Sequence, residues 1–329
     1  MRAVNYCRLS FVGTVAIVEP LISKHKAKMI QRRQLLQGTT GMAVLLSISA
    51  CTQKIWGSPS PAEDAQALRF RDAVQQIEQR SGGRLGVAVR DTQTGREWAY
   101  RGDERFPMCS TFKLHLAAAV LQRVDQGRDT LAARIAVTPQ DIVPYSPVTQ
   151  PRVNGEPMSL AELCEAAVTL SDNAAANLLL TRLGGPQQLT TFVRGLGDVH
   201  TRFDRNEPTL NEALPGDPRD TTTPVAMLES MARVTLGDGL SPASKAQLVR
   251  WLRDNKTGDR RLRALLPAGW QVGDKTGSGE RGTHNDIGLL WPPAGAPLLV
   301  TAYLTGSTAD AQTRDRTHAE VGRLATSLR

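Results

Sequence analysis

Strand-like patterning is confined to the two ends of the body of this 329-residue chain. Leu85-Gly86-Val87-Ala88-Val89 and Trp98-Ala99-Tyr100, joined by the turn Asp91-Thr92-Gln93-Thr94-Gly95, read as one strand pair; Val272 to Gly277, Asp286 to Trp291 and Leu298 to Leu304 read as three more strands. Between them, from Ser110 to about Leu266, the apolar spacing is mostly helical, with helices expected at 110–126, 159–170, 172–183, 224–236 and 241–253. A helix over Ala62 to Arg80, apolar at Ala67, Phe70, Val74 and Ile77 and ended by Ser81-Gly82-Gly83, precedes the first strand, and Ala309 to Leu328 closes the chain as another. This order predicts a single sheet completed by distant segments. The expected fold is α/β of the α+β type: an antiparallel five-stranded sheet flanked by terminal helices, with an all-α domain inserted into it. The body spans 62–329, its sheet part 62–105 and about 267–329, its helical part about 106–266.

A leader is separable from that body. Residues 1–50 hold seven Lys/Arg (Arg2, Arg8, Lys24, Lys26, Lys28, Arg32 and Arg33) against Glu19 alone, whereas from Cys51 onward 33 basic residues face 31 acidic ones. Most of the net charge of +8 therefore belongs to the leader, and the body has no electrostatic footprint for nucleic acid. Gln31-Arg32-Arg33-Gln34-Leu35-Leu36 followed by the apolar stretch Gly41 to Ala50 has the charged and apolar regions of a secretory signal, and the adjacent arginines suggest twin-arginine export to the periplasm. Ile48-Ser49-Ala50-Cys51 resembles a lipobox, in which Cys51 would be acylated and anchor the mature chain to a membrane; ordinary cleavage near Ala50 or in the following Ser/Pro segment is the alternative. Met29, three residues before the arginine pair, offers a second start that would make 1–28 an upstream extension. Residues 51–61, with Ser58-Pro59-Ser60-Pro61, form a linker. Of the four cysteines, Cys7 and Cys51 lie in or beside the leader, and Cys109 and Cys164 are expected as buried small hydrophobes rather than a disulfide scaffold.

Several short motifs carry chemistry. In Ser110-Thr111-Phe112-Lys113 a spacing of three on a helix puts Lys113 one turn above Ser110, where an amine kept neutral by burial can take the hydroxyl proton and the helix N-terminus can stabilise an oxyanion. Alone the motif is weak, since Ser23-Lys24-His25-Lys26 matches it too. Ser171-Asp172-Asn173 reads either as a helix N-cap or as a hydroxyl and an amide facing a cleft. Lys-Thr-Gly occurs twice. Lys256-Thr257-Gly258, among Arg253, Asp254, Asn255 and Asp259, is expected as a solvated turn; Lys275-Thr276-Gly277 ends a strand and leads to Ser278-Gly279, where a ligand can approach the backbone, and is taken as the functional copy. Between these, Arg205 and Asp220 are placed to pin an Ω-type loop through Pro215-Gly216-Asp217-Pro218, on which Glu207 and Asn211 would hold a water; an ordinary surface loop has the same composition.

Taken in order, Ser110-x-x-Lys113, Ser171-Asp172-Asn173, Glu207-x-x-x-Asn211 and Lys275-Thr276-Gly277 resemble the class A serine β-lactamases, over about residue 62 to the C-terminus and including Tyr145-Ser146-Pro147-Val148-Thr149 and Asn285-Asp286. The resemblance implies a site in the cleft between sheet and helical parts, hydrolysis of the lactam amide of penicillins and cephalosporins, and antibiotic resistance. It implies that Ser110 attacks the lactam carbonyl, that the N–H groups of Ser110 and Ser278 bind the oxyanion, and that Lys113, Glu207 or both take the serine proton. Ser171 would protonate the departing nitrogen; Lys275, Thr276 and Ser278 would hold the substrate carboxylate, Asn173 the side-chain amide, Tyr145 would wall the entrance, and Glu207 with Asn211 would aim the deacylating water. Three departures matter. Cys109 stands where some relatives form a disulfide, but its partner position is Gly279; Cys164 pairs in others with a position occupied here by Ala117; and His284 replaces a common arginine, so that Arg261 is expected to supply the second cation for the carboxylate.

The five histidines, His25, His115, His200, His284 and His318, show no ligand spacing, so no metal or cofactor is expected, and the only partner expected of the monomer is the small-molecule substrate. Two other readings share motifs with this one: a penicillin-binding D,D-peptidase, which lacks the Glu207/Asn211 pair, and a β-lactam sensor that is acylated and stays so.

Overall fold

The structure of the protein, a computed structural model, describes residues 61–329; the leader and nearly all of the linker lie outside the described residues. In chain order, helix α1 (Pro61–Ser81) is followed by β1 (Arg84–Asp91), β2 (Glu97–Tyr100) and the two-residue β3 (Phe106–Pro107). The helical part holds a 3-10 turn (Cys109–Phe112), α2 (Lys113–Asp125), the two-residue strands β4 (Arg134–Ile135) and β5 (Met158–Ser159), α3 (Leu160–Thr169), α4 (Asn173–Leu183), α5 (Pro186–Gly195), β6 (Thr221–Thr222), α6 (Pro224–Thr235) and α7 (Pro242–Arg253). Strands β7 (Gln271–Ser278), β8 (His284–Trp291) and β9 (Leu298–Thr305) and helix α8 (Ala311–Thr326) complete the chain.

The five long strands form one antiparallel sheet in the order β2-β1-β9-β8-β7, so the N-terminal hairpin joins the C-terminal meander through β1 and β9, with Val87 opposite Ala302. Alternation along β9 shows how the sheet is covered. Leu298, Val300, Ala302 and Leu304 join Val87, Val89, Phe70, Val74 and Val321 under the terminal helices, while Leu299 and Tyr303 face the other way and join Phe106, Phe112, Leu116 and Ile287 under the helical part. Both faces are buried, which is why β9 reads as a near-continuous apolar run and β8 does so from Ile287 onward. In the helical part, α2 is buried from Lys113 to Leu121 on every side and has α3, α4, α5 and α7 as neighbours, as its alanine-rich apolar composition requires.

Several details differ from the expectation. Ser110 does not start an α-helix but sits in the 3-10 turn that leads into α2. Helix α5 was not expected; it is entered through Gly184 and Gly185 at positive φ with Pro186 at its first turn, a start signal that the polar run Gln187-Gln188 obscures. The helical part is not purely helical, because the pairs β3 with β6 and β4 with β5, each too short for a period, clamp its loops. Cys109 and Cys164 are free and buried, and burial raises both thiol pKa values and keeps them neutral. A Cβ on Gly279 would lie 2.6 Å from Cys109 Sγ, so the cysteine and its expected partner position do face each other, and glycine there excludes the bond. Among the described residues no helix is long and apolar enough to cross a membrane.

Candidate active site

The 3-10 turn fixes the central pair. With three residues per turn, side chains at i and i+3 eclipse, so Lys113 stands directly over Ser110 and its Nζ lies 3.0 Å from Ser110 Oγ. Cys109 holds the left-handed φ of +45° that starts the turn, and Asn285 on β8 braces the preceding backbone by donating to Pro107 O at 2.9 Å and Met108 O at 3.0 Å. Both Ser110 and Lys113 are buried.

Lys113 is where the segments converge. Its Nζ donates to Ser171 O at 2.8 Å and Asn173 Oδ1 at 2.6 Å and pairs with Glu207 Oε1 at 3.0 Å, so with Ser110 Oγ four acceptors compete for the three protons of an ammonium. Burial lowers the Lys113 pKa, and Glu207 opposes that shift. Ser110 Oγ is also 3.4 Å from Glu207 Oε1, so two basic groups reach one hydroxyl.

Ser171, at φ +60°, and Asn173 face the site because Asp172 between them is engaged elsewhere. Asp172 caps α4 through Ala175 N and also accepts from Val148 N, Thr149 N and Thr149 Oγ1, which ties the 145–149 segment to the helix. The cap and the cleft readings of this motif are therefore both fulfilled, by different residues. Tyr145, 60% exposed, stands at the rim and accepts Asn173 N on its carbonyl.

Arg205 and Asp220 pin the Ω-type loop as expected, with Arg205 Nε 2.6 Å from Asp220 Oδ2, and the carboxylate also receives Asp204 N and Arg205 N. Burial nonetheless raises the Asp220 pKa. On this loop Asn211 Nδ2 donates to Glu207 Oε2, while Asn211 Oδ1 is buried with no protein partner among the described residues. Asn177 holds the Glu207 backbone from both sides, Nδ2 to Glu207 O and Glu207 N to Oδ1, each at 2.9 Å. It was missed in the sequence, although it lies four residues after Asn173 on the same helix face. The loop meets the sheet where Glu280 N donates to Asn211 O at 2.9 Å and Arg281 donates to Glu212 O.

The fourth wall is β7. Lys275 Nζ lies 3.2 Å from Ser171 Oγ, which is itself 3.4 Å from Lys113 Nζ, so the Ser171 hydroxyl bridges two lysines. Burial, aided by the charge of Lys113, lowers the Lys275 pKa to about 7. Arg261, expected as the second cation, lies close by: it donates to Ser278 Oγ at 2.8 Å, Gly277 O at 3.0 Å and Asn285 O at 2.6 Å, and its Nε faces Asp315 at 3.4 Å. His284 turns away from the cleft to Asp315, 2.8 Å distant, and burial lowers its pKa to about 3. The first Lys-Thr-Gly copy is not the solvated turn expected: Asn255 and Gly258 are buried against β7, and the charged neighbours that suggested solvent, Arg253, Asp254 and Asp259, point outward around them. Of the eleven expected site residues, Ser110, Lys113, Ser171, Asn173, Glu207, Asn211 and Lys275 are thus joined in one hydrogen-bonded cluster, with Thr276 and Ser278 next along β7, Arg261 bonded to Ser278 and Tyr145 beside Asn173; no cluster suited to a metal ion occurs among the described residues.

Comparison with known proteins agrees with this geometry. Residues 69–328 match the β-lactamase enzyme family. β-Lactamase CTX-M-8 of Citrobacter amalonaticus is 46% identical over 271 residues, covering 82% of this chain and 92% of that protein. β-Lactamase OXY-1 of Klebsiella oxytoca is 48% identical over 259 residues, covering 78% and 89%. The solved structure of an ancestral (GNCA) class A β-lactamase aligns with a TM-score of 0.77 at 64% identity, covering 78% of this chain and 99% of that one.

The lowered Lys275 pKa has a signature in stability. Below about pH 7 Lys275 is charged in folded and unfolded chains alike, and the cost of its burial is fully present. From about 7 up to its ordinary 10.5 the unfolded chain holds a proton that the folded one has released, so this contribution to stability rises with pH. Denaturant unfolding of the wild type and Lys275→Met at about pH 7 and about pH 10 should therefore show the wild type gaining on the variant at the higher pH. An unchanged difference would mean that Lys275 keeps its ordinary pKa.

Proposed function

The chain belongs to the class A serine β-lactamase family and hydrolyses the β-lactam amide bond, conferring antibiotic resistance, and from that premise we propose how its residues divide the work. The observation that carries the reading is the double engagement of one hydroxyl, with Lys113 Nζ 3.0 Å and Glu207 Oε1 3.4 Å from Ser110 Oγ. Ser110 attacks the lactam carbonyl while Lys113, Glu207 or both, the latter through a water, take its proton; the N–H groups of Ser110 and Ser278 receive the oxyanion. Ser171, between Lys113 and Lys275, passes a proton to the departing nitrogen as the C–N bond breaks.

Binding follows from charge and donors. Lys275, Thr276 and Ser278, with Arg261 behind Ser278, hold the substrate carboxylate; Asn173 Nδ2, which gives one proton to Pro144 O at 2.9 Å, keeps the other for the acyl amide; Tyr145 walls the entrance. The acyl ester is then cleaved by a water held between Glu207 and the otherwise unpartnered Asn211 Oδ1. That pair favours the hydrolase over the D,D-peptidase and the sensor. The named groups suit penicillins and cephalosporins as substrates, and the near-balanced charge of the body gives no footprint for nucleic acid.

We further infer that residues 1–50 direct export to the periplasm, supported by Arg32-Arg33 and the apolar Gly41 to Ala50, with the mature chain starting at an acylated Cys51 or in the 51–61 segment. The intact mass of chain recovered from the cell envelope should lack 1–50, and a diacylglyceryl adduct would mark the lipid-anchored form. Recovery of envelope protein that retains 1–50 would contradict export by cleavage.

Glu207→Ala should still be acylated by penicillin, since Lys113 remains, but should lose its deacylating base, which typically contributes about 10²–10⁴-fold. Intact mass spectrometry should show its adduct persisting, and Ser110→Ala should show none. Wild-type turnover by Glu207→Ala would contradict the assignment.

A further inference from the structure

The turn that carries the first Lys-Thr-Gly copy is fitted to β7 side chain by side chain. Alternate residues of a strand share a face, and Asp274, Thr276 and Ser278 form such a set. The segment after α7 meets each of them in order: Asn255 Nδ2 donates to Asp274 Oδ1 at 3.0 Å, Thr257 Oγ1 lies 2.5 Å from Thr276 Oγ1, and Arg261 donates to Ser278 Oγ at 2.8 Å. Gly258 permits this approach, because a Cβ there would sit 1.9 Å from Asp274 Oδ2.

Counting hydrogens along this contact gives it a direction. Asn255 spends its Nδ2 on the Asp274 carboxylate, so its Oδ1 faces Thr257, accepting Thr257 N at 3.1 Å and lying 2.8 Å from Thr257 Oγ1. A hydroxyl has one proton to give. If Thr257 gives its proton to Asn255 Oδ1, the bond between the two threonines takes the proton of Thr276, and none is left for a ligand. If Thr257 turns its proton onto Thr276 Oγ1, the Thr276 proton is released toward the cleft, and Asn255 Oδ1 still has Thr257 N. The two arrangements share the same heavy atoms and differ only by rotation of two hydroxyls.

We propose that Thr257 is a positioning residue for substrate binding: when a carboxylate accepts the proton of Thr276, Thr257 rotates to donate to Thr276, so the first Lys-Thr-Gly copy supports the second. This rests on the reading of Lys275, Thr276 and Ser278 as the carboxylate-binding set. Thr257 itself does not touch the substrate, and no covalent bond changes.

Thr257→Val keeps the branched shape and removes the hydroxyl. For a penicillin with a free carboxylate, KM should rise about three- to tenfold, the worth of one hydrogen bond, with kcat within about twofold, and Thr257→Ser should restore the wild-type value. With the methyl ester of the same penicillin, wild type and Thr257→Val should agree, and adding Thr257→Val to Thr276→Val should cost nothing more. Thr257→Ala serves for the same comparisons if the valine variant does not accumulate. An unchanged KM for the acid, an equal loss on the ester, or a loss additive to that of Thr276→Val would each overturn the role of Thr257 and leave the carboxylate set standing. Equal hydrolysis of acid and ester by the wild type would overturn the carboxylate set, and this proposal with it.

Discussion

The buried Lys113 ammonium is the constraint around which the site is arranged. A cation with no exposure to water requires an acceptor for every proton, and beyond Ser110 Oγ its close acceptors come from two other segments: Ser171 O and Asn173 Oδ1 at the start of α4, and Glu207 Oε1 on the Ω-type loop. The same demand that holds the lysine therefore holds these segments at fixed distances from Ser110. Burial pulls the amine toward neutrality and Glu207 pulls it back, which leaves a proton inventory that can shift between two bases when the serine reacts.

Around this centre each mobile-looking piece is tied down by side chain to backbone bonds rather than by apolar packing alone. Asn177 grips the Glu207 backbone, Asp172 the 148–149 backbone, Asn285 the backbone before the nucleophile, and Arg205 with Asp220 the ends of the Ω-type loop. Of the eight left-handed non-glycine residues among the described residues, Cys109, Tyr145, Ser171 and Asp220 lie on these tied segments. Strained backbone persists where its surroundings over-determine it, and these four positions are held in that way. The sheet supplies the rigid wall: β7 is paired along its length with β8, and the segment after α7 covers its edge.

Much of this was legible in the sequence, for identifiable reasons. Long elements such as α2, β8 and β9 are predictable because each carries an apolar run that it buries. Ser110 and Lys113 are predictable because a local spacing of three decides their contact. The Lys256-Thr257-Gly258 turn was misread because its flanking charges dominate the local composition, while the contact that matters, Thr257 to Thr276, is tertiary. Asp315 acts through partners on other elements, and nothing in its local sequence signals that. Helix α5 and the two-residue strands were missed because short elements carry too little pattern to separate from loops.

The claim on which all of this depends is that the protein does not merely react with a β-lactam but releases the product and starts again. Mixing the unmodified protein with a large excess of a chromogenic cephalosporin, while following both colour and the intact mass of the chain, tests that claim directly. The expected result is many equivalents hydrolysed per chain, with any adduct on Ser110 transient and the parent mass restored once substrate is exhausted. Colour that stops at about one equivalent, with the adduct retained, would contradict it.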